Sequence, residues 1–114
     1  MALEEAAQGF AAVGSEPRLE VLLSLVRAGP EGLAVGEIQD RVDLPPSTLA
    51  HHLRFLAAAG LIEQAREGRI VRSRAAFGRI EGLADFLLRE CCSESKMPHA
   101  AGQHHDPIKS EDAA

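Results

Sequence analysis

The chain contains two adjacent cysteines, Cys91 and Cys92, whose thiol groups could bind a metal or metalloid ion or take part in redox chemistry. As small apolar side chains they could simply fill a helical seam. A disulfide between them is disfavoured, because Cα atoms about 3.8 Å apart lie below the usual range. As thiolates they could instead chelate a soft, thiophilic ion such as trivalent arsenic. The residues alone leave the apolar and the ligand interpretations open.

A second group of chemically useful residues lies between Leu44 and Leu61. Leu49, Leu53 and Leu56 recur at helical spacing, which predicts a short helix with its apolar side inward. The polar side chains off this stripe can bond to base edges or phosphates. They are Ser47, Thr48, His51 and Arg54, which together with His52 are the predicted DNA contacts of this helix. For one of the two histidines, a structural, hydrogen-bonded role is the alternative.

The segment after this helix predicts a β-hairpin. Residues 62–65 and 70–74 have strand-like patterns, and Arg66 and Arg69 lie at the tip between them. Residues 46–80 hold six arginines against two glutamates, a net charge of +4, whereas the whole chain has a formal charge of −5. The helix and hairpin therefore suit a phosphate backbone, with Arg66 and Arg69 as further DNA contacts. The alternative for these two arginines is a solvated hairpin.

Four more helices are predicted, over residues 3–13, from Pro17 onward, over 35–42 and over 77–92. The last has a wider apolar face than one small core needs, which predicts pairing with a second copy. The predicted fold is mostly α: a dimeric winged helix-turn-helix of five helices and a two-stranded wing, over residues 1–92. Residues 93–114 are polar and predict a disordered tail. The predicted inward residues are Leu3, Ala6, Ala7 and Phe10 in the first helix, Leu19, Leu22, Leu23 and Val26 in the second, and Ile80, Leu83, Ala84, Leu87 and Leu88, widened by Phe86, in the last.

Residues 44–73, with the sequence Ser-Thr-Leu-Ala-His-His-Leu followed by Ala-Gly-Leu-Ile, resemble the ArsR/SmtB family of bacterial metalloregulators. The resemblance extends from about Glu16 to Cys92. It implies a homodimeric repressor that binds double-stranded operator DNA and is released by an inducer. The Glu-Cys-Cys sequence resembles the arsenic-responsive branch, which implies that Cys91 and Cys92 hold trivalent arsenic. The cysteines of another metal site of the family are replaced here by Ala34, Val35 and Gly36, so a zinc sensor is not expected.

The number of cysteines bears on the identity of the inducer. Arsenite has three exchangeable oxygens, but the chain has only two cysteines. A monosubstituted trivalent arsenical has two exchangeable positions and would be satisfied by Cys91 and Cys92. Two alternatives are a thiol-oxidation sensor that uses the same pair and a mixed zinc site completed by tail histidines. The tail histidines in question are His99, His104 and His105.

Other functional classes find no support in the sequence. Ser47, Ser73 and Ser93 have no histidine and acid partners that the sequence can place, so no enzyme and no permanent cofactor are expected. No apolar run approaches the ~18 residues of a membrane span, which together with the thiols predicts a cytoplasmic protein without membrane contact. A winged-helix interaction module that does not read DNA is the alternative from a different class.

Overall fold

The computed structural model describes residues 1–91 and 93–95, so Cys92 and the predicted tail from residue 96 onward lie outside the described residues. This part of the chain is a winged helix-turn-helix, as predicted. None of its helices is long and apolar enough to cross a bilayer. The elements in chain order are α1 (Leu3–Ala12), α2 (Glu16–Ala28), β1 (Leu33–Ala34), α3 (Val35–Arg41), α4 (Pro46–Ala58), β2 (Ile62–Glu67), β3 (Ile70–Ala75) and α5 (Phe77–Leu88).

The helix-turn-helix consists of α3 and α4, which are joined by a tight turn. Pro46 lies in the first turn of α4, where its missing N–H removes no helical hydrogen bond. Gly60 follows the helix with a φ of 76°, the left-handed conformation that ends many helices. Leu49, Leu53 and Leu56 are buried, as their spacing predicted. The opposite side of α4 is therefore held facing solvent.

The sheet contains a short strand that the sequence did not reveal. β1 pairs antiparallel with β3, which gives a three-stranded sheet of order β1-β3-β2 instead of the predicted two-stranded wing. Two residues are too few to show a period-2 pattern, so this strand depends on tertiary pairing. Gly32 permits it: its φ is 68°, and a Cβ at this position would clash with the carbonyl oxygen of Ser73.

The buried side of α2 differs from the predicted one. Leu22 is buried as predicted, but the other deeply buried apolar residues are Val21 and Leu25, whereas Leu19 and Leu23 remain 38% and 37% exposed. Because six of its thirteen residues are leucine or valine, α2 has apolar side chains on more than one stripe. Packing against α3, α4 and β3 selects the stripe that is buried. The prediction of this face was wrong in part.

The first helix packs on the last through small residues. Gly9 of α1 lies so close to Leu83 of α5 that a Cβ would come within 2.9 Å of the leucine methyl groups. An ion pair between Glu5 and Arg79, 3.2 Å long, joins the same two helices. The predicted inward face was therefore partly wrong, since Ala6 is buried but Leu3 is 75% exposed.

The last helix is shorter than predicted. α5 ends at Leu88 rather than at Cys92. The N–H of Arg89 still donates to the carbonyl oxygen of Asp85 over 2.8 Å, and the N–H of Cys91 donates to that of Leu88 over 2.9 Å. Cys91 is exposed and lies in a turn beyond the helix. The prediction that it continues the apolar stripe of the helix was wrong.

α5 leaves part of its apolar face uncovered. Leu83 is buried, and Ile80 and Phe86 are partly buried against the core. In contrast, Leu87 is 61% and Leu88 is 42% exposed. The core of a single chain therefore covers only part of the predicted apolar face of α5.

Candidate DNA-binding site

The solvent-facing side of α4 carries four of the predicted contacts, which we call the recognition surface: Ser47, Thr48, His51 and Arg54. Thr48 is partly buried and the other three are exposed. In the part of the chain that the structure describes, Arg54 forms no ion pair. Its guanidinium and the three neighbouring polar side chains can therefore make hydrogen bonds to another molecule.

His52 lies on the inner side of α4, away from the recognition surface. Only 9% of its surface is exposed, and its Nδ1 accepts a hydrogen bond from Nε–H of Arg18 over 3.4 Å. Burial, followed by the charges of Arg18 and His51, lowers the pKa of His52 from its ordinary value of 6.5. A neutral, buried ring that accepts from arginine supports the structural alternative for this residue. We therefore leave His52 out of the proposed DNA contacts.

Phe55 and Arg18 lie beside the recognition surface, and no local sequence pattern predicted a role for them there. Phe55 is 46% exposed and its ring contacts that of His51 edge-on, with ring centres 4.8 Å apart. The guanidinium carbon of Arg18 lies 4.3 Å from the centre of the Phe55 ring, a cation–π contact. The only available signal was the spacing of four residues between His51 and Phe55, which places them on one side of the helix.

The arginines of the wing form two groups, which differ in whether they pair with a carboxylate. Glu67 accepts hydrogen bonds from Arg72 over 2.9 Å and from Arg74 over 3.2 Å, and these bonds lower the pKa of its carboxyl group. Arg66 pairs across the hairpin with Val71, so it projects from the opposite face. Within the described residues Arg66 has no ion pair.

The tip itself is formed by Gly68 and Arg69, because Glu67 pairs directly with Ile70. Gly68 has a φ of 66°, which allows this two-residue turn. Arg69 is exposed and, among the described residues, has no acidic partner. Of the six arginines of residues 46–80, Arg54, Arg66 and Arg69 thus form no ion pair within the described part of the chain.

Comparison with known proteins agrees with this architecture. A family model described as a helix-turn-helix domain matches residues 13–65. An uncharacterised HTH-type transcriptional regulator of Methanocaldococcus jannaschii is 37% identical over 65 residues, which are 57% of this chain and 71% of the relative. The structure of an ArsR-like transcriptional regulator from Rhodococcus sp. RHA1 superposes with a TM-score of 0.71 at 29% identity, covering 95% of this chain and 92% of the other. The chain belongs to the ArsR family of winged-helix transcriptional regulators.

Two further proteins are similar to this chain. The transcriptional activator HlyU of Vibrio cholerae is 28% identical over 85 residues, covering 75% of this chain and 76% of its own, and a structure of its reduced form has a TM-score of 0.60. The homodimeric winged helix-turn-helix DNA-binding domain of a possible ArsR-family regulator from Mycobacterium bovis has a TM-score of 0.61 at 25% identity. The superposition covers 85% of this chain and 90% of that domain.

The candidate effector residues of this ArsR-family protein lie at the end of α5. Cys91 is exposed three residues beyond Leu88, while Cys92 lies outside the described residues, as do the tail histidines His99, His104 and His105. Among residues 1–91 and 93–95, no three histidine, cysteine or acidic side chains are grouped as a metal site would require. Of the two candidate thiols, the described part of the chain therefore contains only that of Cys91.

Proposed function

We propose that this ArsR-family protein is a homodimeric repressor that binds a palindromic operator. A trivalent arsenical bound at Cys91 and Cys92 then releases it. The observation that carries the DNA-binding part is the surface of α4 and the wing tip. Arg54 on α4 and Arg66 and Arg69 on the wing have no acidic partner among the described residues and accompany exposed hydrogen-bonding groups, while Glu67 pairs with Arg72 and Arg74 on the other face of the wing.

The recognition surface suits the major groove. The second helix of a helix-turn-helix inserts there and contacts bases mainly through its N-terminal residues. Ser47, Thr48 and His51 belong to the first half of α4, so we assign base contacts to them and phosphate contacts to Arg54. Arg66 and Arg69 would then reach the flanking backbone or minor groove from the wing.

A second copy of the chain is the occupant that we propose for the apolar face of α5. Leu87 and Leu88 are exposed apolar side chains at the end of the helix. Homodimerisation of the related Mycobacterium bovis domain supports this assignment. Two recognition helices in one dimer would read two half-sites about one helical turn apart, which is why we expect a palindrome.

The inducer is assigned from the chemistry of the cysteines. Soft thiolates favour thiophilic ions, and Cys91 is exposed next to the apolar end of α5. Two thiols match the two exchangeable positions of a monosubstituted arsenical, whose organic group could rest on Leu87 and Leu88. The inducer must bind the DNA-free dimer more tightly than the bound one, by about 2–3 kcal/mol for a useful response.

Operator release provides the test. After selection of an operator from random duplexes, the complex is titrated with arsenite, phenylarsenous acid, zinc and peroxide, and fluorescence anisotropy reports release. We expect release by the organic arsenical at concentrations no higher than those for arsenite. Cys91→Ser and Cys92→Ser should bind operator normally but resist release, whereas the control Ser93→Ala should respond as the native chain does. Arsenical release that both serine variants retain would disprove the cysteine assignment.

A thiol-oxidation sensor is the second candidate function. The specific observation is the similarity to HlyU, a transcriptional activator whose structure is known in a reduced form. The geometry of adjacent cysteines disfavours a bond within one chain, so oxidation would link Cys91 or Cys92 across two chains. Release by peroxide that dithiothreitol reverses, with a cross-linked dimer on a non-reducing gel and no response to arsenicals, would favour this candidate.

A further inference from the structure

A groove of 420 Å³ lies between α1, α2 and α4. Its walls are mostly apolar, with Ala11 on α1 and Phe55 and Ala58 on α4 among the side chains that line it. Small-molecule sites in proteins commonly have volumes of ~300–1,000 Å³ and apolar walls with a few fixed polar groups. The groove therefore has the size and lining of a site for a small organic molecule.

Arg18 supplies the charge in this groove, and three contacts fix its position. Its Nε–H donates to Nδ1 of His52 over 3.4 Å, and its Nη1 donates to the carbonyl oxygen of Ala12 over 3.2 Å. The ring of Phe55 covers one face of the guanidinium at 4.3 Å. Within the described residues these bonds leave the Nη2 hydrogens available to another acceptor.

Arg18 has no carboxylate partner in the part of the chain that the structure describes. Other partly buried arginines do have one: Arg72 and Arg74 pair with Glu67, and Arg79 pairs with Glu5. A charge that is partly buried among apolar side chains is stabilised when an opposite charge joins it. A carboxylate oxygen that accepts a charge-assisted hydrogen bond from Nη2 of Arg18 would supply this opposite charge.

We propose that this groove binds a small organic carboxylate. The carboxylate oxygens would accept hydrogen bonds from Arg18, and the apolar body of the ligand would contact Phe55 and the neighbouring alanines. The site goes beyond the proposed function, because no cysteine takes part in it. Since Phe55 lies one helical turn after His51, a bound ligand would touch the helix that carries the recognition surface.

Benzoate is a suitable probe, with benzyl alcohol as its uncharged counterpart and acetate as a carboxylate without the ring. Isothermal titration of the full chain should show that benzoate binds about tenfold or more tightly than either control ligand, since each lacks one of the two contacts. Amide NMR shifts should locate the effect at Ala58 and Ala59. Arg18→Gln should weaken benzoate binding about tenfold or more, whereas Arg27→Gln, another arginine of α2, should not.

A second variant tests the groove without changing Arg18, whose replacement could also affect folding. Ala11 is exposed on α1, so Ala11→Leu should fold normally while filling the groove and abolishing benzoate binding. Equal affinity for benzoate and benzyl alcohol in the native chain would overturn the proposal. So would unchanged benzoate binding in Ala11→Leu, or NMR shifts confined to residues away from α1, α2 and α4. None of these measurements involves Cys91 or DNA, so their outcome is independent of the proposed repressor function.

Discussion

Replacing Arg66 and Arg74 separately by alanine distinguishes an arginine that contacts phosphate from one that is neutralised within the protein. Both belong to the same hairpin and each change removes one guanidinium. Arg66 has no ion pair within the described residues, whereas Arg74 donates to Glu67 over 3.2 Å. If the wing contacts DNA through its unpaired arginines, Arg66→Ala should alter DNA binding far more than Arg74→Ala.

The expected size follows from counterion release. Each phosphate contact with duplex DNA contributes about 0.9 to the slope of log affinity against log salt concentration. A dimer contains two copies of Arg66, so Arg66→Ala should reduce the slope by about 1.8. Between about 50 and 200 mM salt, the variant should then lose roughly tenfold less affinity than the native protein. Arg74→Ala should change the slope by less than half as much, because the carboxylates of Glu67 and Glu37 together balance the charges of Arg72 and Arg74.

Fluorescence anisotropy of a labelled operator duplex at four or five salt concentrations measures these slopes. A scrambled duplex should show the same decrease, since phosphate contacts do not depend on sequence. Circular dichroism of both variants checks that the hairpin is intact. An unchanged slope for Arg66→Ala, or equal decreases for both variants, would refute the division of the wing into a DNA-facing and a neutralised group.

Three further changes test the structure. Leu87→Glu should weaken dimerisation about tenfold or more in sedimentation experiments, because the charge would enter an apolar interface; an intact dimer would place the interface elsewhere. Leu56→Ala should lower the free energy of unfolding by about 2–5 kcal/mol in urea titrations, since Leu56 is fully buried, and a smaller loss would contradict the described core. The unfolded chain should bind more protons than the folded one below about pH 6.5, because the pKa of His52 is lowered on folding. The contribution of His52 to the free energy of unfolding should therefore be retained above that pH and lost as the pH falls through the folded pKa of His52. His52→Gln should remove this part of the pH dependence of stability. An unaltered pH profile in that variant would argue against the role of His52.

Local sequence signals predicted much of the fold. Leu49, Leu53 and Leu56 have a single apolar stripe between a proline start and a glycine end, so periodicity alone gave the right face of α4. The hairpin was also predictable from local sequence, because Gly68 marks the turn between its two strands. The spacing that placed Ser47 and Arg54 on the outer side of α4 also defined most of the recognition surface.

Tertiary structure decided what local patterns left ambiguous. α2 has apolar side chains on more than one stripe, and contact with other elements rather than periodicity determined that Leu25 is buried and Leu23 is not. His52 lies three residues after Leu49 and four before Leu56, on the buried stripe of α4, but only the tertiary structure places it beside Arg18, which is 34 residues away. Such contacts between distant residues leave no periodic signal.

The charges of the wing also depend partly on sequence and partly on tertiary structure. The sequence determined that residues 46–80 are rich in arginine, but a count of charges treats all arginines alike. Pairing between β2 and β3 places Arg72 and Arg74 beside Glu67 and leaves Arg66 on the other face. Composition therefore determined that this segment is positive, and only the strand register decided which of its charges are available to DNA, because ion pairing depends on distances that the order of residues does not contain.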